Sequence, residues 1–93
     1  MNKYEMLYVL DTAVGDEERD AFIARLEEVV KNDGGNVEGS DKWGIKKLAY
    51  PINYKSEGYY VLMTFEAKPQ TIAELERVAG LSENVMRRMI TKL

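Results

Sequence analysis

The sequence predicts an α+β fold, a four-stranded antiparallel sheet with two helices on one of its faces. Segments in which apolar and polar residues alternate, and segments of helical periodicity, follow one another in the order strand, helix, strand, strand, helix, strand. Two right-handed strand–helix–strand crossovers joined by a hairpin place both helices on the same side. The strand order is then 4-1-3-2, the split βαβ arrangement of the ferredoxin-like fold, and residues 1–93 make a single domain.

The first strand and the first helix have clear local signals. Residues 3–10 alternate but are apolar on nearly both faces from Met6 onward, which favours a central strand. Residues 16–32 begin with carboxylates, which stabilise a helix N-terminus, and repeat apolar residues at helical spacing. The pair Gly34 and Gly35 ends this helix, because glycine readily takes the left-handed conformation of a C-terminal cap.

The middle of the chain predicts a long edge strand and a hairpin. Residues 36–52 are extended but interrupted by glycines, which is typical of bulges. The adjacent Lys46 and Lys47 put one ammonium on each face of the strand, and Pro51 cannot donate a hydrogen bond to a neighbouring strand. Both features favour an edge. Residues 53–58 have the composition of a hairpin loop.

The remaining elements complete the sheet and its helical layer. Residues 59–67 alternate cleanly and predict the third strand, in the centre of the sheet. A second helix opens at Gln70 or Thr71 and ends at Gly80. Its predicted buried stripe is Ile72, Leu75, Val78 and Ala79. Residues 84–92 predict a fourth strand with polar residues on both faces, which favours the other edge. The sheet face away from the helices is left free to bind a ligand.

The composition argues against catalysis and against a membrane protein. The chain has 13 Lys and Arg against 16 Asp and Glu, a net charge of -3, so any anion site must be a local patch. It has no histidine and no cysteine, and so lacks the commonest metal ligand, the commonest general base and all thiol chemistry. We expect no enzymatic activity, catalytic residue, metal, cofactor or small-molecule substrate. No apolar run approaches the ~20 residues that span a bilayer, so we expect a soluble cytoplasmic protein without a membrane partner.

Basic and aromatic residues form the first candidate for a binding site. They are Lys3, Tyr4, Lys42, Lys46, Lys47, Tyr50, Arg87, Arg88 and Lys92. Because the start of the first strand lies beside the fourth strand, we expect Lys3 to join Arg87 and Arg88 in one cationic patch that suits a phosphate backbone. The alternative is that these charges only protect two edge strands from pairing with other chains.

A second candidate is the set of aromatic residues around the hairpin, which consists of Trp43, Tyr50, Tyr54, Tyr59 and Tyr60. Aromatic residues are enriched in protein interfaces and can also stack on bases. The alternative is that Tyr59 belongs to the core and Tyr60 to ordinary sheet packing. The RNA-recognition motif has the same element order, but its third-strand signature is matched here only at Gly58 and Tyr59, so a base-stacking platform of that kind is poorly supported.

Four segments resemble one known family. They are the opening Lys3-Tyr4-Glu5, the block Gly44-Ile45-Lys46-Lys47-Leu48-Ala49-Tyr50-Pro51-Ile52, the triplet Gly58-Tyr59-Tyr60 and the closing Asn84-Val85-Met86-Arg87-Arg88-Met89-Ile90-Thr91-Lys92. Together they are similar to the sixth protein of the bacterial small ribosomal subunit over essentially the whole chain. The run Leu-Ala-Tyr-Pro-Ile after a basic pair is the most specific marker.

The resemblance implies a structural ribosomal protein without catalysis, located in the small ribosomal subunit in the cytoplasm. It implies binding to small-subunit ribosomal RNA in the central domain, or platform, as a heterodimer with the eighteenth small-subunit protein. The RNA-contact positions carried over from the family are Lys3, Tyr4, Lys46, Lys47, Arg87 and Lys92. The positions expected against the partner protein are Tyr50, Pro51, Ile52 and Tyr60.

Two other classes of function remain open from the sequence. A non-ribosomal protein-interaction or RNA-binding module could use the open sheet face and its tyrosines, and it would recover a protein partner but no ribosomal subunits from extract. A small enzyme on the same fold would need a carboxylate or arginine essential for turnover, and no residue nominates a substrate.

Overall fold

The computed structural model describes residues 1–52 and 54–93, and its elements follow the predicted order. They are β1 (Asn2–Leu10), α1 (Asp16–Asn32), β2 (Asn36–Ile52), β3 (Lys55–Ala67), α2 (Pro69–Leu81) and β4 (Val85–Lys92). The strands form an antiparallel sheet in the order β2-β3-β1-β4, which confirms the ferredoxin-like arrangement with β2 and β4 at the edges. Neither of these two helices is long and apolar enough to cross a membrane.

The core lies between the sheet and the helices. The register of β1 and β3 pairs Met6 with Met63 and Tyr8 with Val61, so these side chains share one face, and all of them are fully buried. Both helices contribute to the same hydrophobic cluster, through Ile23, Leu26, Val30, Leu75, Val78 and Ala79. Both helices therefore cover the same face of the sheet, as predicted.

The glycine pair after α1 closes the helix as expected. Gly34 has φ 82°, in the left-handed region. The N–H groups of Gly34 and Gly35 donate to the carbonyl oxygens of Lys31 and Val30 at 3.1 and 2.9 Å, so carbonyl groups at the end of the helix are satisfied.

Gly35 also marks a close approach between α1 and the sheet. A Cβ atom on Gly35 would lie 2.6 Å from the carbonyl oxygen of Glu66 in β3, and 2.7 and 2.9 Å from Cγ1 and the carbonyl oxygen of Val30. A side chain does not fit in this space, so position 35 requires glycine for steric reasons.

The second helix differs from the prediction in its first turn and in its buried stripe. It begins at Pro69, because proline is favoured at the first helical position, and it continues one residue past Gly80. Thr71 is fully buried, whereas Ile72 is only partly buried. The hydroxyl of Thr71 donates to the carboxylate of Asp33 at the end of α1, so this buried polar group is satisfied and links the two helices.

The hairpin between β2 and β3 corrects the sequence prediction. The composition of residues 53–58 predicts a loop, but β3 already begins at Lys55, which pairs with Ile52. Tyr54 occupies the turn with φ 65°, and Asn53 lies outside the described residues. The polar residues after Lys55 are exposed, and an exposed strand has the same composition as a loop. The local sequence therefore does not separate the two.

Tyr8 buries a hydroxyl group in the core. Its side chain is fully buried, its ring packs edge-on against Phe22 with centroids 6.1 Å apart, and its hydroxyl has no hydrogen-bond partner among the described residues. Burial raises the pKa of this phenol, so the group stays neutral. We expect Tyr8→Phe to increase the free energy of unfolding by about 1 kcal/mol, because it removes an unsatisfied polar group.

Urea denaturation of wild type and variant measures this difference. Tyr4→Phe is a matched control, because the Tyr4 hydroxyl accepts a hydrogen bond from the Asn2 amide at 3.3 Å and we expect no gain from removing it. A lower stability of Tyr8→Phe would contradict the prediction.

Candidate nucleic-acid and protein interface

The sheet face that points away from the helices is the open face. It includes Leu7 and Val9 of β1, and the strand pairings place Tyr60, Met89 and Arg87 beside them. These residues line a cavity of about 200 Å³. The cavity has an apolar floor with a guanidinium group at its side.

The hairpin residues 45–52 and 54–58 form a projection that we call the arm. The last pair between β1 and β3 joins Leu10 to Tyr59, so the part of β3 before Tyr59 has no β1 neighbour. The arm therefore extends past the end of β1 as a two-stranded ribbon.

The arm bends over the open face. The register shifts between Lys47 and Ile52, where β2 has more residues than the facing part of β3, and such irregularities bend and twist a strand pair. A Cβ atom on Gly58 would lie 2.2 Å from Cγ1 of Val9, so the backbone of the arm rests directly on a side chain of β1.

An ion pair also fastens the arm to the loop after β1. The Nζ atom of Lys55 lies 2.9 Å from Oδ1 of Asp11. Hydrogen bonds from the N–H of Ala13 and from Lys55 lower the pKa of the Asp11 carboxyl below its usual range. The carboxylate is therefore charged at neutral pH and the pair is formed.

The arm brings Tyr50 to Arg87 at the opposite edge of the sheet. Nη1 of Arg87 lies 3.3 Å from the Tyr50 hydroxyl oxygen, and the guanidinium carbon lies 5.8 Å from the centre of the Tyr50 ring. Arg87 thus donates a hydrogen bond and lies within cation–π distance. Among the described residues Arg87 is in no ion pair, so its other donors are available for an anion.

Trp43 and Lys46 of β2 stack with Tyr60 of β3. The rings of Trp43 and Tyr60 are 10° from parallel with centroids 6.5 Å apart, and the ammonium of Lys46 lies 5.1 Å from the centre of the Trp43 ring. The register shifts at Gly44, whose φ is 84°, and the Trp43 N–H donates to the carboxylate of Asp41 at 3.1 Å. Trp43 is 41% exposed, so a cation and a large aromatic surface face the solvent together.

Lys47 and Lys92 are exposed but lie apart from this group. Lys47 faces Glu57 across the hairpin and projects from the side of β2 opposite to Lys46. Lys92 lies opposite Tyr4, at the far end of β4. In residues 1–52 and 54–93, neither lysine is in an ion pair.

Lys3 does not join Arg87 and Arg88 in one patch, which corrects the sequence expectation. Because β1 and β4 are antiparallel, the start of β1 lies beside the end of β4, and Arg87 pairs with Val9 instead. A separation of six residues along a strand, as from Lys3 to Val9, is about 20 Å. Lys3 forms an ion pair with Glu38 at 2.9 Å, and this contact raises the pKa of the lysine.

Two further cations of the predicted patch are paired with helix residues. Arg88 pairs with Tyr8 and so lies on the helix-covered face, where its Nε donates to Glu76 of α2 at 2.7 Å. Lys42 bonds Asp20 of α1 at 2.9 Å, and this contact raises the pKa of the lysine. Both ion pairs connect an edge strand to a helix, so their role is structural.

Tyr4 belongs to the core, which corrects its assignment as an RNA contact. It is 7% exposed, and its ring stacks on Phe65 with centroids 5.7 Å apart. The alternation of β1 puts it on the same face as Met6 and Tyr8, toward the helices. A ring packed in the core is not available to stack on a base.

The positions predicted to meet a protein partner lie on the arm and beside it. Tyr50 and Pro51 are exposed and Ile52 is half-buried, near the tip of the arm. Tyr60 is half-buried on the open face. Tyr59 faces the helix side and packs against the core, as its structural alternative predicts.

The two ends of the open face differ in charge. The arm end carries Lys46 and Arg87, whereas at the opposite end Glu38 and Glu66 act on Lys3 and offset its charge. In the part of the chain that the structure describes, no group of three or more potential ligands could hold a metal ion. The side chains of this face offer ionic, aromatic and apolar contacts.

The chain matches a family model and known proteins over almost its full length. The model described as Ribosomal protein S6 matches residues 3–92. The small ribosomal subunit protein bS6 of Caldanaerobacter subterraneus subsp. tengcongensis is 45% identical, over 99% of this chain and 97% of that protein. The bS6 protein of Clostridium novyi is 44% identical, over 97% of this chain and 95% of that protein.

A solved structure has the same fold. The crystal structure of 30S ribosomal protein S6 from Thermotoga maritima superimposes on this chain with a TM-score of 0.92. The match covers 99% of this chain and 87% of that protein, at 24% sequence identity. That likeness supports the fold alone. The family model and the two relatives go further and confirm the resemblance noted in the sequence. The two relatives are proteins of the small ribosomal subunit, and the chain belongs to the ribosomal protein S6 family.

Proposed function

We propose that the chain is a structural protein of the small ribosomal subunit that binds small-subunit ribosomal RNA in the central domain, or platform. It binds there together with the eighteenth small-subunit protein, with which it forms a heterodimer during assembly. The role involves no reaction and places the chain in cytoplasmic ribosomes. Membership of the ribosomal protein S6 family supports the ribosomal part of this proposal.

The observation that carries the RNA part is the set of exposed cations without carboxylate partners at the arm end. Among the described residues Lys46, Lys47 and Arg87 are in no ion pair, whereas Lys3 and Lys42 are paired. Unpaired cations bind phosphates without first breaking an internal contact, and they release the counterions of the RNA. With a net charge of -3, the chain alone binds RNA weakly and needs its partner.

The exposed apolar side chains of the arm and of its base support the protein partner. Trp43, Ile45, Tyr50 and Tyr54 are large hydrophobic residues between 41 and 104% exposed. Exposed apolar patches mark interaction surfaces, and aromatic residues are enriched at their centres. The partner therefore packs on the arm, and the cations beside it contact RNA.

In this proposal the remaining RNA contacts lie in two places. Lys46, Lys47 and Arg87 lie on the arm or beside it, and they form the primary contact in this proposal. Lys3 and Lys92 lie at the opposite end of β1 and β4, and they contact a second segment of RNA.

Sedimentation of the tagged protein in a cell lysate tests the proposal. We expect it to comigrate with the small subunit, and the purified heterodimer to bind a central-domain RNA fragment more tightly than the chain alone. Recovery of a protein partner from RNase-treated extract, without comigration with subunits in untreated lysate, would instead support an interaction module outside the ribosome.

A further inference from the structure

We infer that Tyr50 positions the Arg87 guanidinium for phosphate, so that the arm couples the partner surface to the RNA surface. The inference rests on the proposed function, in which Tyr50 meets the partner protein and Arg87 meets RNA. Its basis is a direct contact between these two residues, with Arg87 Nη1 at 3.3 Å from the Tyr50 hydroxyl oxygen.

The contact depends on the bend of the arm. Tyr50 belongs to β2 and Arg87 to β4, the two outermost strands of the order β2-β3-β1-β4. In an unbent sheet, strands in these positions are about 14 Å apart. The register shift after Lys47 and the close contact of Gly58 with the Val9 side chain bend the arm, so that Tyr50 crosses this distance.

Tyr50 orients Arg87 without neutralising it. A guanidinium has five N–H donors, and the hydroxyl of Tyr50 accepts from one nitrogen. A neutral phenol also leaves the charge of Arg87 uncompensated, unlike the carboxylates that hold Lys3 and Arg88. The contact restricts the rotamers of a flexible side chain, so less conformational freedom is lost when a phosphate binds.

A partner on Tyr50 extends this ordering to both surfaces. Tyr50 is 59% exposed, so a large part of its ring can be covered by a partner protein. Covering the ring fixes the hydroxyl and with it the guanidinium of Arg87. The partner protein and the RNA then bind with positive cooperativity. The one that binds first orders the arm and Arg87, so the second loses less conformational freedom.

A double-mutant cycle on the full chain with the eighteenth protein tests the coupling. The variants are Tyr50→Phe, Arg87→Ala and their combination, and the probe is a central-domain ribosomal RNA fragment in a filter-binding assay. We expect Tyr50→Phe to weaken RNA binding about threefold, Arg87→Ala about tenfold, and the combination no more than Arg87→Ala alone. Repeating the Tyr50→Phe measurement without the eighteenth protein tests the cooperativity, because we expect a smaller loss of RNA binding when no partner covers the Tyr50 ring.

Tyr59→Phe is the matched control, since Tyr59 faces the helix side and packs against the core, outside both surfaces, and we expect wild-type RNA binding from it. Wild-type RNA binding by Tyr50→Phe, a further threefold loss in the Arg87→Ala background, or an equal loss for Tyr50→Phe with and without the eighteenth protein would each overturn the coupling. Failure of Arg87→Ala to weaken RNA binding would overturn the Arg87 contact in the proposed function itself.

Discussion

Replacing Arg87 by glutamate is expected to weaken binding of the heterodimer to central-domain ribosomal RNA by about 30-fold, or about 2 kcal/mol. The substitution removes a charge-assisted hydrogen bond and places a carboxylate near the phosphates. Arg87 is exposed and is in no ion pair among the described residues, so the fold is little affected. Filter binding with the partner present, at several salt concentrations, measures the change.

Arg25→Glu is the control for this prediction. Arg25 is exposed on α1, so its reversal changes the net charge equally on the helix side. Equal weakening by both variants would show that total charge, and not the Arg87 contact, governs binding.

For Arg87→Ala we expect the slope of log affinity against log salt to fall by about 1, as for the loss of one phosphate contact.

Gly35→Ala is expected to lower the free energy of unfolding by about 3 kcal/mol. The added Cβ would lie 2.6 Å from the carbonyl oxygen of Glu66 and 2.9 Å from that of Val30. Both are backbone atoms, so no side-chain rotation relieves the clash, and α1 must move away from β3. Small domains are stable by only about 5–15 kcal/mol, so the loss is a large fraction of the total.

Urea denaturation compares this variant with Gly39→Ala in β2, the strand that begins directly after Gly35. A Cβ atom on Gly39 meets nothing within 4 Å, and Gly39 does not have a positive φ, so we expect a change within about 0.5 kcal/mol. Wild-type stability of Gly35→Ala would show that the helix and the strand separate at little cost, contrary to the prediction.

The sequence allowed the topology to be predicted because each element buries one side. The alternation of Met6 and Tyr8 in β1, and the helical spacing in α1, identify their core faces, and the handedness of crossovers fixes the strand order. The errors in the elements lie at their ends and in the buried stripe of α2. The early start of β3 at Lys55 was missed, because exposed strands and loops share a composition.

The residue types of the candidate site could be predicted, but their electrostatic state could not. Lys3 and Arg88 are equivalent to Lys46 and Arg87 in a one-dimensional pattern. The register decides that Lys3 is paired with Glu38 and that Arg88 lies on the helix side. A pattern confined to neighbouring residues contains no information on such distant carboxylates.

The contact between Tyr50 and Arg87 was missed for a related reason. It depends on how far the arm bends. The bend arises where β2 has more residues than the facing part of β3, and where Gly58 packs closely on the Val9 side chain. The nearest signal in the sequence is a glycine before two tyrosines, which gives no direction for the bend.

The open face is unevenly charged along the sheet, with cations free of ion pairs among the described residues at the arm end and carboxylates beside Lys3 at the other end. In the proposed function, the field of the RNA draws the end with Lys46 and Arg87 in first, and Lys3 and Lys92 at the other end contact a second segment afterwards. Approach is therefore oriented before any contact forms. A protein with a net charge of -3 can in this way be attracted to RNA through its arm end while the acidic start of α1 is repelled. The repelled surface then limits binding in wrong orientations.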